Sequence, residues 1–228
     1  MTRAVCVSGS GTGIGKTYVS SVLIRQLKAK GQAPRALKPV MSGFDPDALD
    51  ESDAGQLIQA LGQTLDDDTL AAMAPWRFEA ALAPDMAAVR EGRSLSFDEV
   101  VAFCRRQLVR RDEITLIEAV GGVMAPMAQN RLCTDFARAL DLPVLLVVGS
   151  YLGTISHTLT AVAALKAEGL PLIGVVISES EDSPVPLAET QAAIVHQLRK
   201  IPVISLPRLP IARWQEQPHL TVLLSESI

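Results

Sequence analysis

A glycine-rich segment near residue 10 carries the residue types that bind polyphosphate. It runs Gly9-Ser10-Gly11-Thr12-Gly13-Ile14-Gly15-Lys16-Thr17 and lies between an apolar strand pattern and an amphipathic helix pattern. Glycines let successive backbone N–H groups turn toward an anion, and the N-terminus of the following helix adds a positive partial charge. Lys16 would reach the β- and γ-phosphate oxygens, and the Thr17 hydroxyl would coordinate Mg²⁺. The segment therefore predicts a nucleotide site.

This loop departs by one position from the strict G-x-x-x-x-G-K-[ST] pattern. That pattern requires glycine at position 10, so Ser10 makes the loop a G-x₅-G-K-T variant that starts at Gly9. A dinucleotide-binding G-x-G-x-x-G explains it less well, because Lys16 stands at the final glycine position and the Lys-Thr pair has no role there. The flanking strand and helix favour nucleotide binding over a glycine-rich turn that contains G-K-T by chance.

Three further charged positions are expected near the loop. Lys38 ends a predicted strand, and in open α/β sheets this end of the strands holds the ligand. Considered alone, a surface lysine before a proline turn is the simpler interpretation of Lys38. Glu118 ends a buried strand before a glycine turn, where a Mg²⁺ ligand is needed. Asp53 would be either a second carboxylate near the metal or a helix N-cap.

Strand and helix patterns alternate along the chain and must position these residues. Strands are predicted at 4–8, 33–38, 114–118, 144–148, 172–177 and 203–206, and helices at 17–30, from 96, at 154–168 and at 187–200. The alternation predicts a single α/β domain over residues 1–228, a P-loop NTPase-like three-layer α/β/α fold with a mostly parallel sheet. The alanine-rich stretch 54–93 is interpreted as helices without assigned strands, and the stretch after Pro210 is left open between strand and helix.

Composition narrows the range of partners. The chain has 228 residues, of which 48% are hydrophobic, and its 21 Lys+Arg against 25 Asp+Glu give a formal net charge of −4. Sequence-independent nucleic-acid binding needs a basic face, which this balance does not favour. The longest apolar runs fall far short of a membrane span. We expect a cytoplasmic protein with no nucleic-acid or membrane partner.

Taken together, the motifs resemble those of dethiobiotin synthetases. That family combines a G-x₅-G-K-T loop with K-P-V-x-S-G, an S-D before a helix, an E-G-A-G-G-like turn and a later L-G-x-x-x-H segment. The matching segments here are 9–17, 38–43, 52–53, 118–122 and 152–157. A P-x-x-F…P stretch at 75–84 also matches, and the resemblance runs in the same order from residue 5 to about 210.

The resemblance implies ATP- and Mg²⁺-dependent closure of the ureido ring of dethiobiotin, in biotin biosynthesis, from 7,8-diaminopelargonic acid and CO₂. A substrate amine captures CO₂ as a carbamate, ATP phosphorylates the carbamate, and the neighbouring amine attacks the mixed anhydride and expels phosphate. It also implies a homodimer, because in the family a helix of the partner subunit receives the carboxylate tail of the substrate.

The resemblance also assigns roles to residues of this sequence. Lys16 and Lys38 would be catalytic, and Thr17, Asp53 and Glu118 would hold Mg²⁺. The nucleotide-binding positions would be Gly13, Ile14, Gly15, Lys16, Thr17, Tyr18, Glu118, Ala119, Val120, Gly121, Ser178, Pro207, Arg208 and Leu209. Substrate would contact Ser42, Gly153, Thr154 and Ser156, whereas His157 is interpreted as a structural residue at a helix start.

Several positions depart from the family pattern. Gly13 stands where the loop is usually acidic, Tyr151 where a lysine is common, and Asp85 where a histidine follows proline. The Asn-Asp pair of the adenine pocket corresponds to Ser178-Glu179, and a serine lacks the paired donor and acceptor of an amide. Base selectivity is therefore open between a looser nucleotide preference and recognition by the backbone at 207–209.

Two other functions are weighed against this one. Partitioning-type P-loop ATPases carry a second lysine five residues before the G-K-T lysine, where this chain has Gly11, and K-P-V-x-S-G has no role in them. A non-catalytic nucleotide sensor would have no need of intact Lys16, Lys38 and Glu118. Gly11, the K-P-V-x-S-G segment and the intact charged residues therefore favour the synthetase over both alternatives.

Overall fold

The computed structural model describes residues 3–108 and 113–224. The strands are β1 (Ala4–Gly9), β2 (Pro34–Leu37), β3 (Val40–Ser42), β4 (Trp76–Phe78), β5 (Ile114–Glu118), β6 (Pro126–Ala128), β7 (Arg131–Leu132), β8 (Val144–Val148), β9 (Leu172–Ser178) and β10 (Val203–Leu206). The helices are α1 (Lys16–Ala29), α2 (Asp53–Leu61), α3 (Asp67–Met73), α4 (Pro84–Arg90), α5 (Phe97–Gln107), α6 (Cys133–Ala139), α7 (Thr154–Ala167) and α8 (Leu187–Leu198). Two 3-10 helices, Ile211–Glu216 and Leu220–Leu223, follow β10.

A six-stranded sheet in the order β10-β9-β8-β1-β5-β2 forms the centre of the fold, and its neighbouring strands are parallel. Strand β1 lies between β5 and β8, with Val7 opposite Glu118 and Gly9 opposite Val147. Since the strands run in one direction, their carboxyl ends meet at one edge of the sheet. The phosphate loop after β1 and Glu118 at the end of β5 are therefore neighbours.

Helices cover both faces of the sheet. As a consequence, β1, β5 and β8 are buried along their whole length. Alternate residues of β1 enter two separate cores: Val5 and Val7 pack on the side of α1 and α2, and Ala4 and Cys6 pack on the side of α5 and α6. This arrangement confirms the predicted three-layer fold. Among the described residues, no helix is long and apolar enough to cross a bilayer.

The predicted elements of the main sheet are confirmed to within two residues at each end. Helices α2, α3 and α4 lie in the stretch interpreted as helical, but β4 also lies there and pairs in parallel with β3. Two strands of three residues each are too short to produce a detectable alternation of apolar and polar residues. The stretch after Pro210, left open above, contains the two 3-10 helices.

The start of α2 is fixed by close backbone packing. Ser52 is the N-cap, and its hydroxyl accepts a hydrogen bond of 3.0 Å from the N–H of Gly55. The N-cap interpretation of Asp53 is therefore wrong: Asp53 is the first helical residue, and its side chain is available to other partners. A Cβ atom at Gly55 would lie 2.0 Å from the carbonyl oxygen of Leu49, so only glycine allows this approach.

We predict that Gly55→Ala destabilises the protein although alanine is the better helix former. The added methyl group would push the start of α2 away from Leu49, and overpacking of this kind typically costs about 1–3 kcal/mol in the free energy of unfolding. Chemical denaturation measures the effect. The control is Gln59→Ala on the exposed side of the same helix, which should stay within about 0.5 kcal/mol of wild type. A stabilised Gly55→Ala variant would contradict the close packing.

Candidate nucleotide and phosphoryl-transfer site

The phosphate loop has the backbone geometry that its glycines predict. It connects β1 to α1, and Gly15 takes a left-handed conformation with φ of 88° immediately before the first helical residue, Lys16. A Cβ at Gly15 would lie 2.3 Å from the Ser178 hydroxyl oxygen, so the loop packs directly against the end of β9. The backbone N–H groups at the start of α1 have no partner within that helix and can bind an anion.

Lys16 extends back over the loop and is largely buried. Its ammonium group donates a hydrogen bond of 2.9 Å to the carbonyl oxygen of Gly11. Burial and the nearby positive charge of Lys38 lower the pKa of Lys16 to about 8. The charged form of Lys16 is therefore less favoured than that of an exposed lysine, and an anion beside it would stabilise that form.

Lys38 is a buried cation at the centre of a partly buried cluster of charges. Its ammonium nitrogen is 2.8 Å from Glu118 Oε1 and 2.9 Å from Asp53 Oδ2, and it also donates to the carbonyl oxygen of Ala119 at 3.3 Å. Lys38 is 2% exposed and Glu118 is 1% exposed, so the alternative of a surface lysine is wrong. These contacts join residues from the ends of β2 and β5 and the first turn of α2.

The charges of the cluster stabilise one another. Burial alone would lower the pKa of Lys38, but the negative charges of Glu118 and Asp53 and their hydrogen bonds outweigh burial and raise it. Burial would likewise raise the pKa of Asp53, but Lys38 and the Thr17 hydroxyl hold it below its ordinary value. At neutral pH, Lys38 is therefore a cation and Asp53 an anion.

Two hydroxyl groups of α1 complete the cluster. Thr17 Oγ1 lies 2.7 Å from Asp53 Oδ1 and 2.9 Å from Glu118 Oε1, and its single proton can serve only one of them at a time. Ser20 Oγ donates to Glu118 Oε2 at 2.9 Å. Sequence reasoning missed Ser20, although it follows Thr17 by three positions and so lies on the same helix face.

The cluster has the donor set that suits Mg²⁺. Two carboxylates and a hydroxyl are hard oxygen ligands, and Mg²⁺ usually takes only one or two protein carboxylates, with waters and substrate phosphates as its other ligands. Within residues 3–108 and 113–224, no group of three His, Cys, Asp or Glu side chains could hold a metal by itself. A Mg²⁺ ion held by Thr17, Asp53 and Glu118 would take waters or phosphate oxygens as its remaining ligands.

One cavity of about 780 Å³ brings most of the predicted site residues together. Its lining includes Gly13, Ile14, Gly15, Lys16, Thr17, Tyr18, Lys38, Ser42, Asp53, Glu118, Val120 and Gly121. Ala119 is buried and does not line the cavity, but its carbonyl oxygen accepts a hydrogen bond from Lys38. Gln56 and residues 81–84 also line the cavity and were not predicted. Phosphate-binding and substrate-binding candidates thus share one space.

A second cavity of about 640 Å³ shares Gly13, Ile14, Gly15 and Tyr18 with the first. It is lined by Gly13, Ile14, Gly15, Tyr18, Ser178, Glu179, Ser180, Glu181, Arg208, Leu209, Pro210 and Ile211. Glu179 Oε2 accepts a hydrogen bond of 2.8 Å from the backbone N–H of Arg208. The predicted base-pocket residues Ser178, Arg208 and Leu209 thus line one cleft, whereas Pro207 does not line it. We call this second cavity the base cleft.

The residues expected to receive the carboxylate tail lie elsewhere. Gly153, Thr154 and Ser156 are at the start of α7 and line neither cavity. Gly153 and Ser156 are exposed, whereas Thr154 is buried and donates its hydroxyl proton to the carbonyl oxygen of Gly149 at 2.6 Å. His157 is exposed and lies 2.9 Å through Nδ1 from the Tyr151 hydroxyl. The structure does not bring this helix start to the cleft of its own chain.

Fold and site together define a P-loop nucleoside triphosphate-binding enzyme. A family model described as an AAA domain matches residues 3–216. Solved structures agree on the fold: a ParA family ATPase from Chlorobium tepidum has a TM-score of 0.53 at 13% identity, covering 100% of this chain and 97% of that one. The MinC:MinD cell division protein complex of Aquifex aeolicus has a TM-score of 0.59 at 11% identity, covering 97% and 93%.

Sequence comparison gives the family. A protein of Acidiphilium cryptum named ATP-dependent dethiobiotin synthetase is 44% identical over 86% of this chain and 88% of that protein. Proteins of the same name from Methylobacterium nodulans and Caulobacter vibrioides are 46% and 44% identical, covering 89% and 90% of this chain and 92% and 93% of theirs. The chain belongs to the ATP-dependent dethiobiotin synthetase family, which confirms the resemblance.

We predict that ATP binding weakens as the pH rises through about 8, where free Lys16 loses its proton. A triphosphate bound beside Lys16 would stabilise its charged form. Above this pH each bound ATP would therefore take up a proton, and affinity would fall up to about tenfold per pH unit. Calorimetry between pH 7 and 9.5, in buffers of different ionisation enthalpy, measures both effects.

Lys16→Arg is the control for this prediction, because a guanidinium group stays charged over the whole range. Its ATP affinity should be nearly independent of pH above 7.5, whatever its absolute value. A wild-type affinity that stays constant up to pH 9.5 would show that Lys16 is charged in the free protein.

Proposed function

We propose that the protein closes the ureido ring of dethiobiotin in biotin biosynthesis, converting 7,8-diaminopelargonic acid, CO₂ and ATP into dethiobiotin, ADP and phosphate. One observation carries the proposal: a single cavity holds Lys16, Lys38, Asp53 and Glu118 together with the Ser42 hydroxyl. A reaction that joins a carbamate to a triphosphate brings two anions into contact. Two cations at the point of transfer meet that requirement.

Lys16, Lys38 and Ser42 are assigned to different groups of the reactants. One amine of the substrate adds to CO₂ and loses a proton, which gives the carbamate. A carbamate oxygen then attacks the γ-phosphorus and ADP leaves, and the second amine attacks the carbamoyl carbon and expels phosphate. We assign Lys38 to the carbamate and γ-phosphate, Lys16 to the β- and γ-phosphates, and Ser42 to the diamine or carbamate. The lysines act by neutralising charge that is greatest during transfer.

Thr17, Asp53 and Glu118 are the residues that we assign to Mg²⁺. When bound, the metal neutralises charge on the β- and γ-phosphates. Support for this assignment comes from the donor set and from the contacts of both carboxylates with the Thr17 hydroxyl beside the phosphate loop. The adenosine would extend over Tyr18 into the base cleft, against Ser178, Arg208 and Leu209.

We further propose that the enzyme is a homodimer. Gly153 and Ser156 are exposed at the start of α7, outside the cavities of their own chain, and Leu152 beside them is 85% exposed. A helix start can bind a carboxylate through its free N–H groups. In this arrangement, the α7 start of one subunit would receive the substrate tail at the cleft of the other.

A cytoplasmic location and a single domain over residues 1–228 remain part of the proposal. Cys6, Cys104 and Cys133 are free thiols, which suits a reducing compartment. The sheet and both cores are built from segments along the whole described length, so we treat the chain as one functional unit.

A test of the proposed reaction is substrate dependence. We expect phosphate release from Mg·ATP only when 7,8-diaminopelargonic acid and bicarbonate are both present, with dethiobiotin detected by mass spectrometry in equal amount. A monoamine analogue should yield no ring, because the second nucleophile is missing. Hydrolysis that ignores the diamine and is stimulated by DNA or lipid vesicles would contradict the proposal and favour a partitioning-type ATPase.

A further inference from the structure

A buried glutamine connects residues 217–220, which we call the C-terminal segment, to the base cleft. Gln217 is 3% exposed, and its side-chain nitrogen donates hydrogen bonds of 2.8 Å to the carbonyl oxygen of Pro207 and 2.6 Å to the Tyr18 hydroxyl. The Tyr18 hydroxyl in turn donates to the carbonyl oxygen of Leu209 at 2.8 Å. One amide and one phenol therefore hold two carbonyl groups of the segment 207–209.

The orientation of the Gln217 amide follows from its partners. The carbonyl oxygen of Pro207 can only accept, so the amide nitrogen must point toward it. The amide oxygen is consequently buried with no hydrogen-bond partner among the described residues. Leaving a buried acceptor unpaired is unfavourable, and the two hydrogen bonds that the amide nitrogen donates to Pro207 and Tyr18 offset this cost.

A separate pair of hydrogen bonds attaches residues 218–220 to α1. The Gln26 side chain donates from Nε2 to the carbonyl oxygen of Pro218 at 2.8 Å, and its Oε1 accepts from the N–H of Leu220 at 2.8 Å. Leu220 itself is fully buried. Gln26 therefore fixes the same segment as Gln217 does, but it does not contact residues 207–209.

We infer that Gln217 is a positioning residue for the nucleotide base. The inference rests on the proposed placement of the base in the cleft between Tyr18 and Leu209. Gln217 does not line that cleft, and it acts through Tyr18 and Leu209, which do. Its amide keeps the 207–209 backbone at a fixed distance from the Tyr18 ring, so the base meets a preformed cleft. The phosphates, bound at Lys16 and the loop amides, do not depend on it.

The experiment compares the binding of ATP and of inorganic tripolyphosphate, which lacks the base, by calorimetry in the presence of Mg²⁺. In Gln217→Met, which keeps the side-chain length but has no donor, ATP should bind about tenfold more weakly, as expected for two lost hydrogen bonds. Tripolyphosphate affinity should change less than twofold. Gln26→Met is the matched control: it also removes two hydrogen bonds of this segment, and it should lower the melting temperature without changing either affinity.

The positioning role would be overturned if Gln217→Met weakened both ligands equally, if it weakened neither, or if Gln26→Met weakened ATP as much. Should Gln217→Met fail to fold, Tyr18→Phe removes the donor to Leu209 and should reproduce the loss for ATP alone. The outcome is independent of the proposed reaction. A protein that binds ATP in this way but forms no dethiobiotin would refute the reaction and leave the role of Gln217 intact.

Discussion

The arrangement of the site depends on one buried cation, Lys38, held between the carboxylates of Asp53 and Glu118. A charged side chain is tolerated in a protein interior only when opposite charges and hydrogen bonds compensate it, and removal of one member of such a pair commonly costs about 3–5 kcal/mol. The carboxylates need the lysine in turn, because without it two negative charges would lie side by side. This need is greater for Glu118, whose side chain is 1% exposed, than for Asp53, whose side chain is 43% exposed. The three residues therefore constrain one another, and the elements that carry them must meet at one point.

The parallel sheet makes that meeting possible. Strands β1, β2 and β5 are adjacent, so their carboxyl ends deliver the phosphate loop, Lys38 and Glu118 to the same edge. Helix α2 adds Asp53 from a different layer, and its position depends on the contact between Gly55 and the Leu49 carbonyl. Charges that are far apart in the chain are thereby gathered within hydrogen-bond distance. The net charge of −4 does not oppose polyphosphate binding, because the attraction is local to Lys16, Lys38 and the loop amides.

The main sheet and much of the candidate site could be predicted from the sequence, because local patterns of residues encode them. The main strands have continuous apolar runs, and the phosphate loop and Lys38 lie at the ends of such runs, so their convergence follows from the rules of parallel sheets. Whether Ser52 or Asp53 caps α2 could not be predicted, because both residue types are favoured at an N-cap. The pairing of β3 with β4 and the contacts of Gln217 with residues 207–209 could not be predicted either. They depend on tertiary contacts between short or irregular segments, which leave no periodic signal in the chain.

We propose that Lys38 serves phosphoryl transfer and not the binding of ATP. Turnover and ATP affinity of Lys38→Gln, measured side by side with a thermal melt to verify folding, test it most directly. Because the charge that Lys38 would compensate is greatest during transfer, we expect kcat to fall about 100-fold or more while the Kd for ATP changes less than threefold. A parallel loss of both would make Lys38 an anchor for the ground-state phosphates and contradict the account.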